Sequence, residues 1–258
     1  MPDSHGTKTP PAFLFALGRA SMPPTVEVSG AVWRFAQLYK HDFFAATALY
    51  ENAVPAAEPR HAVLKIQRTY HLFGLPMRWL GARVARHEIR VYQALQGVRG
   101  VPRFLGSVGN TGFLHEYIPG EDLRENMSLP APFFADLRRL IEDVHARHIA
   151  YVDTNKRENI LLGADGRPWL IDFQISYFAA KGARSNALTR SMLRRLQRAD
   201  WYHFYKHKTR LAPALCTPAD FAAAERRGAL HTLHRWIAQP LIRLRRRFLA
   251  RYRLEKTT

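Results

Sequence analysis

The sequence predicts an α+β fold in two parts, a five-stranded antiparallel sheet with one helix and then a mainly helical region. Two observations lead to this. In the first half, short runs of β-branched and aromatic residues follow one another with turn residues between them. In the second half, apolar residues recur at spacings of three and four, the period of an amphipathic helix. We therefore divide the chain into an N-terminal extension (1–30), a sheet region (31–118) and a helical region (119–258).

The sheet region begins with three strand patterns, at 31–40, 45–53 and 61–68, which short loops would join into a meander. Two further strands follow at 101–108 and 112–118. Between the two groups lies one helix, whose apolar stripe consists of Met77, Leu80, Val84, Val91 and Leu95.

Glu88 lies on this same apolar stripe, four residues after Val84 and three before Val91. A buried carboxylate needs a cationic partner. The apolar strand AlaValLeuLysIle offers Lys65, and Glu88 is the one acidic residue between positions 65 and 116. The sequence therefore predicts a Lys65–Glu88 pair, although a solvated edge for Lys65 and a helix flank for Glu88 would also fit these two residues.

The helical region contains a predicted hairpin, IleLeuLeuGly and ProTrpLeuIle with AlaAspGly between them. A hairpin brings its two ends together, so Asn159 and Asp172 should be neighbours, with Asp153 just upstream. An amide oxygen beside a carboxylate suits Mg²⁺. For any one of these residues, the alternative is an ordinary polar position in a surface turn.

Further helices are predicted from about Ala131 into the hairpin region, at 189–207, and from a start near Asp220. A last helix would place Leu230, Leu233, Ile237, Leu241, Leu244 and Phe248 on one stripe, and seven arginines lie between 235 and 253. For Asp200, support of the loop around Asp153, a helix-capping role and a surface role all remain open.

The composition is strongly basic, with 39 Lys and Arg against 21 Asp and Glu, a net charge of +18 and a pI near 10.6. An anionic partner is expected, and nucleic acid, an acidic lipid surface and a phosphorylated glycan all qualify. No uninterrupted apolar run is long enough to predict a spanning helix. The single cysteine, Cys216, excludes an internal disulfide and fits a reducing compartment.

These residues, in this order, resemble the protein-kinase-like superfamily. AVLKI at 62–66 is similar to the VAIK motif, Glu88 to the glutamate of helix αC, and IDF at 171–173 to the start of DFG. The separation of thirteen residues between Asn159 and Asp172 is that of the catalytic-loop Asn and the DFG Asp. The resemblance covers about residues 31–175 and implies a bilobal fold, with a five-stranded N-lobe sheet and one αC helix above a mainly helical C-lobe.

The resemblance implies a role for each matching residue in phosphoryl transfer. Lys65 would hold the α and β phosphates of ATP, and Glu88 would orient it. Asn159 and Asp172 would bind Mg²⁺. Asp153 would orient the attacking hydroxyl and accept its proton.

HisGluTyrIleProGly at 115–120 is similar to a kinase hinge, which implies that the backbones of Glu116 and Ile118 contact adenine. The GxGxxG phosphate loop is absent, and HisAspPhePheAlaAlaThr at 41–47 occupies its place. The small residues Ala45 and Ala46 permit approach of the backbone to phosphate, less freely than glycine.

The catalytic loop also departs from the pattern. TyrValAsp replaces HRD, Gln174 replaces the DFG glycine, and Asp153 precedes Asn159 by six residues where five is usual. Lys156 or Asn155 could therefore share the role of Asp153. The chain resembles the small bacterial and RIO-type atypical kinases and the lipopolysaccharide core kinases more than it resembles the eukaryotic-type signalling kinases.

The sequence thus predicts an ATP- and Mg²⁺-dependent kinase whose acceptor hydroxyl belongs to a protein Ser/Thr or to a sugar of the lipopolysaccharide type. The alternatives are a catalytically impaired pseudokinase and, less favoured, a basic nucleic-acid-binding protein. We expect a cytoplasmic location. The arginine-rich C-terminal helix either packs against the C-lobe with its arginines solvated, which is the favoured alternative, or docks on the inner face of the membrane or on a glycolipid.

Overall fold

The structure is a computed structural model and describes residues 10–72, 74–180 and 186–225. Eleven strands and four helices are defined within these ranges. In chain order they are β1 (Thr25–Val28), β2 (Ala31–His41), β3 (Ala45–Asn52), β4 (His61–Gln67), α1 (Arg78–Ala94), β5 (Phe104–Val108), β6 (Gly112–Glu116), β7 (Gly120–Asp122), α2 (Phe133–Ala146), β8 (Ile149–Ala150), β9 (Ile160–Gly163), β10 (Pro168–Leu170), β11 (Tyr177–Phe178), α3 (Ala187–Leu211) and α4 (Pro218–Glu225).

The main sheet has six strands in the order β1-β2-β3-β4-β6-β5, every neighbouring pair antiparallel. All five predicted strands are present, but the count of five is wrong. The sixth strand, β1, lies in the segment that we read as an extension. Val26 and Val28 of β1 are buried, and Val26 pairs with Trp33 of β2. Residues 10–28 therefore pack on the sheet, where Leu17 and Met22 join its outer core.

The two faces of β4 point to different cores because side chains alternate along a strand. Ala62, Leu64 and Ile66 belong to the outer core with the N-terminal segment. Val63, Lys65 and Gln67 therefore point to the opposite face, toward α1. This alternation carries Lys65 into the interior, and the strand is buried at every position after His61.

Helix α1 packs on that inner face through Gly81, Ala85, Glu88, Val91 and Tyr92. The predicted inward positions of Glu88 and Val91 are confirmed, but Leu80 is exposed and Val84 only half-buried. The physical reason is close contact at the start of the helix, where a Cβ on Gly81 would lie 2.0 Å from the carbonyl oxygen of Arg68. At the N-terminal end of α1, the small residues Gly81 and Ala85 face β4. Leu80 and Val84 therefore lie to one side of the buried face.

Gly81→Ala is expected to destabilise the protein by about 1 to 3 kcal/mol. The same change in an unobstructed helix is stabilising by about 1 kcal/mol. A loss of stability in Gly81→Ala would therefore indicate the close contact with the Arg68 backbone. Urea unfolding measures the free energy, with Gln93→Ala on the exposed side of α1 as the control that should change it by less than about 0.5 kcal/mol. Equal or greater stability of the Gly81 variant would contradict the close packing.

The second half of the described chain places α2, α3 and the β9–β10 hairpin around a core with Phe133, Leu137, Ile141, Phe173 and Phe204 at its centre. The predicted helices at 189–207 and near Asp220 are present as α3 and α4. The predicted arginine-rich C-terminal helix lies outside the described residues. Within the described part of the chain, no helix has the length and apolar content needed to cross a membrane.

Candidate active site

The β9–β10 hairpin brings Asn159 and Asp172 together as predicted. Ile160 pairs with Leu170, and the Ile171 N–H donates to the Asn159 carbonyl at 3.1 Å. The single O–H of Tyr151 is shared between the carbonyl oxygens of Asn159 and Ile171, so one phenol links the two ends of the hairpin. The backbone at the two ends of the hairpin is therefore held both by its own hydrogen bond and by Tyr151.

Lys65 reaches this hairpin from the sheet. Its Nζ atom lies 2.8 Å from Glu88 Oε1 and 2.8 Å from Asp172 Oδ1. Glu88 is fully buried and Lys65 nearly so. The predicted Lys65–Glu88 pair is thus present, and the same ammonium group also holds the hairpin carboxylate.

The charges of this cluster follow from burial and pairing. Burial alone would lower the pKa of Lys65, but Glu88 and Asp172 outweigh it and raise that pKa above its usual value. Burial raises the pKa of Glu88 to about 7, against the opposing effect of Lys65. The pKa of Asp172 is lowered, because Lys65 outweighs the effect of its burial. Asp172 is therefore an anion at neutral pH.

A buried lysine on a central strand joins a helix glutamate and a hairpin aspartate from the other half of the molecule. This is the arrangement that the resemblance to the protein-kinase-like superfamily implies for Lys65, Glu88 and Asp172.

No family model matches this chain, and no curated protein matches it. Among solved structures it is similar to the Rio2 kinase from Chaetomium thermophilum, with 18% identity, a TM-score of 0.47 and coverage of 76% of this chain and 64% of that one. It is also similar to the ADP/Mg²⁺-phosphoaspartate complex of that kinase, with 18% identity, a TM-score of 0.49 and coverage of 76% and 63%. The chain thus spans less than two thirds of either Rio2 kinase structure.

Gln67 is a further member of the cluster around Lys65, and the sequence patterns did not predict it. Its Nε2 atom donates to Glu88 Oε2 at 2.8 Å, so the two carboxylate oxygens of Glu88 have separate partners. Gln67 is 1% exposed. Its position two residues after Lys65 on the same strand is the signal that could have identified it.

Gln67→Leu is expected to cost about 1.5 to 3 kcal/mol of stability, because a buried carboxylate loses a donor. The folded-state pKa of Glu88, about 7, lies above that of an unfolded glutamate, so the stability that Glu88 contributes is lost as pH rises through 7. The variant raises this pKa further, and its deficit should be larger at about pH 9 than at about pH 6. Urea unfolding at both pH values, beside the exposed control Gln93→Leu, would show this; a deficit independent of pH would contradict it.

Asp153 lies beside the hairpin with its Oδ2 atom 2.8 Å from Asn159 Nδ2 and 2.6 Å from Lys156 Nζ. The additional residue of this loop is accommodated by two consecutive 3-10 turns, Asp153–Asn155 and Arg157–Asn159. Burial raises the pKa of Asp153 above its ordinary value, against the effects of Lys156 and Asn159. Asp153 is 6% exposed. The loop therefore keeps this carboxylate next to Asn159 despite its greater length.

Asp200 of α3 lies beneath this loop and is fully buried. Its carboxylate accepts hydrogen bonds from the Tyr151 N–H, the Val152 N–H and the Thr154 hydroxyl at 2.7 to 2.8 Å. The Nε2 atom of His145 is a further neighbour at 2.9 Å. Of the three roles left open by the sequence, the structure places Asp200 in the support of the loop.

The backbone that Asp200 holds is in a rarely populated conformation. Val152 has a φ of 69°, and Asp172 has a φ of 59°. A positive φ is unusual for a β-branched residue and costs about 1 to 3 kcal/mol. The two hydrogen bonds that the N–H groups of residues 151 and 152 donate to Asp200 oppose that cost and keep Asp153 in place.

The β2–β3 turn occupies the place of the kinase phosphate loop. Asp42 Oδ1 accepts hydrogen bonds from the Phe44 N–H at 2.8 Å and the Ala45 N–H at 3.1 Å. Arg68 donates to the Phe43 carbonyl at 2.7 Å and lies over the Phe43 ring, 4.2 Å from its centre. The turn is therefore fixed by Asp42 within it and by Arg68, which follows β4.

The two alanines predicted near phosphate lie on opposite faces of β3. Ala45 pairs with Gln67 and shares the face of Lys65. Ala46 pairs with Ile66, is fully buried and belongs to the outer core. Side-chain alternation separates two residues that are adjacent in sequence, so only Ala45 has its side chain on the face of the lysine.

The segment after β6 contains the two predicted adenine contacts. The Glu116 N–H donates to the Arg103 carbonyl at 2.8 Å, and His115 Nδ1 lies 2.9 Å from the Glu116 carbonyl oxygen. That oxygen has two lone pairs and can accept one more hydrogen bond. The Ile118 N–H makes no hydrogen bond with another residue in the described ranges. One acceptor and one donor are thus available at this edge.

The residues fit a divalent cation of the Mg²⁺ type. Asn159 donates through Nδ2 to Asp153, which leaves its Oδ1 atom for another partner, and the Asp172 carboxylate is anionic. Hard oxygen donors of this kind suit Mg²⁺, which also keeps water and phosphate ligands. Within the described ranges, no cluster of three or more His, Cys, Asp and Glu side chains forms a metal site.

Proposed function

We propose that this protein is an ATP- and Mg²⁺-dependent kinase that transfers the γ-phosphate of ATP to a hydroxyl group. The observation that carries the proposal is the contact of Lys65 with Glu88 and Asp172, each at 2.8 Å. A structural ion pair needs only one acid, whereas phosphoryl transfer uses a cation between a positioning acid and a metal-binding acid.

The chain's own residues would act by positioning and charge neutralisation. Lys65 holds the α and β phosphates, and Glu88 with Gln67 holds Lys65. The Glu116 carbonyl and the Ile118 N–H bind the adenine edge. Asp172 and Asn159 would hold Mg²⁺, which would supply neutralisation of charge on the phosphate oxygens.

Asp153 would accept the proton of the attacking hydroxyl. The acceptor oxygen forms a bond to the γ-phosphorus as the bond from that phosphorus to the β-phosphate oxygen breaks, and ADP leaves. Asn159 donates to Asp153 and fixes the direction of its carboxylate. Lys156, 2.6 Å from the same carboxylate, lies where it would also neutralise charge on the transferred group.

The acceptor hydroxyl belongs either to a protein Ser/Thr or to a sugar of a lipopolysaccharide-type glycan. Arg194, Arg195 and Arg198 are exposed on α3, and this positive surface favours a negatively charged acceptor such as a phosphorylated glycan. Transfer of ³²P from γ-labelled ATP to glycolipid extracts and to a protein panel tests the proposal, with Asp172→Asn as the inactive reference. Labelling of protein alone would contradict the glycan acceptor.

A nucleotide-binding pseudokinase is the second candidate. It is favoured by one observation, that a single oxygen of Asp153 is already engaged by both Lys156 and Asn159. Thermal shift with Mg²⁺-ATP together with ATP turnover separates the two candidates. Stabilisation by the nucleotide without turnover, over both acceptor classes, would favour the pseudokinase.

A further inference from the structure

The outward face of α1 has an unusual composition. Trp79, Arg83, Arg86 and Arg90 are spaced by four, three and four residues, so they form one line along the helix. All four side chains are exposed, and Trp79 is 65% exposed. Glu88 lies on the opposite side of the helix, fully buried. We call these four residues the arginine face.

The arginine face carries no compensating negative charge. Glu88 is the only acidic residue of α1, and it points away from this face. Within the described ranges, none of these three arginines forms an ion pair with a carboxylate. Three guanidinium groups thus lie along about 10 Å of helix with their charge directed to solvent.

Apolar side chains continue the arginine face at the N-terminal end of α1. Leu75 is 67% exposed and Leu80 is 36% exposed, on either side of Trp79. Exposed Trp and Leu beside a line of arginines are typical of a surface that enters the boundary between headgroups and acyl chains. The three arginines (83, 86 and 90) and the three apolar residues (75, 79 and 80) thus occupy adjacent but separate parts of this surface.

We propose that the arginine face, with Leu75 and Leu80, docks the protein on an anionic lipid bilayer. The arginines would contact lipid phosphates while Trp79 and the two leucines enter the headgroup layer. Single-stranded RNA is a poorer match, because it is bound by aromatic rings interleaved with cations along a groove. Here the apolar residues are gathered at one end. This inference is independent of the proposed kinase activity.

Co-sedimentation of the full chain with vesicles tests the proposal, in the absence of nucleotide. We expect binding to phosphatidylcholine vesicles that contain about one third phosphatidylglycerol, and little binding to pure phosphatidylcholine. The triple variant Arg83→Gln, Arg86→Gln and Arg90→Gln should lower the partition coefficient by on the order of 100-fold. Trp79→Ser should lower it by roughly tenfold.

A matched control removes the same charge elsewhere. Arg34→Gln, Arg99→Gln and Arg167→Gln change three exposed arginines outside α1, and vesicle binding should be largely retained. Equal losses in the two triple variants would mean that net charge alone drives binding and would overturn the proposal. Absence of vesicle binding, with or without binding of polyuridylate RNA through the arginine face, would also overturn it. Circular dichroism melts confirm that each variant is folded.

Discussion

Asp153→Asn is expected to lower kcat for phosphate transfer by roughly 10²- to 10⁴-fold, the usual loss when a positioned general base is removed. Asn is nearly isosteric and can still accept through its amide oxygen, so the hydrogen bonds from Lys156 and Asn159 change little in geometry. KM for ATP should therefore stay near its wild-type value. The measurement is initial-rate transfer of ³²P with ATP and acceptor varied in turn.

The control for this prediction is Asp143→Asn, an exposed aspartate of α2, which should leave both constants unchanged. A kcat within a few-fold of wild type would show that Asp153 is not the base. Lys156→Gln and Asn155→Ala would then identify which neighbour in the longer loop takes that role.

Asp200→Ala is expected to destabilise the protein by about 3 to 5 kcal/mol. The change removes the acceptor of the Tyr151 N–H, the Val152 N–H and the Thr154 hydroxyl, all in the interior. The change also removes the hydrogen bond that helps to hold Val152 at its positive φ. Urea unfolding measures the loss, and Asp143→Ala should change stability by less than about 0.5 kcal/mol.

The Asp200→Ala variant also tests whether Asp200 positions Asp153 for catalysis or only stabilises the fold. Because the backbone before Asp153 is no longer fixed, the activity of the folded fraction should fall as well. Asp200→Asn keeps one acceptor oxygen and should lie between wild type and Asp200→Ala in both measurements. Full activity of the folded fraction in Asp200→Ala would restrict Asp200 to a stabilising role.

The parts of the site that the sequence predicted depend on strong, simple constraints. A lone acidic residue on an apolar helix stripe requires a cation, and Lys65 was the available one. A two-strand hairpin joins its ends, so Asn159 and Asp172 had to meet. These inferences use the periods of helix and strand, and they do not depend on loop conformation.

The parts that were missed depend on packing between distant segments. Strand β1 has only four residues, too few for alternation to distinguish it from an extension. The displaced stripe of α1 follows from the contact between Gly81 and the backbone of Arg68, which no local pattern encodes. Gln67 is polar on an inward face, but its partner is 21 residues away on another element.

The turn between β2 and β3 determines how a nucleotide can be held. In a glycine-rich loop, free backbone N–H groups surround the phosphates. Here the Phe44 and Ala45 N–H groups already donate to Asp42, and that turn carries a carboxylate of its own. In the proposed kinase, phosphate binding would depend on Lys65 and the metal, so we expect metal-free ATP to bind far more weakly than its Mg²⁺ complex. The divalent cation would then hold the phosphates, as the free N–H groups do in a glycine-rich loop.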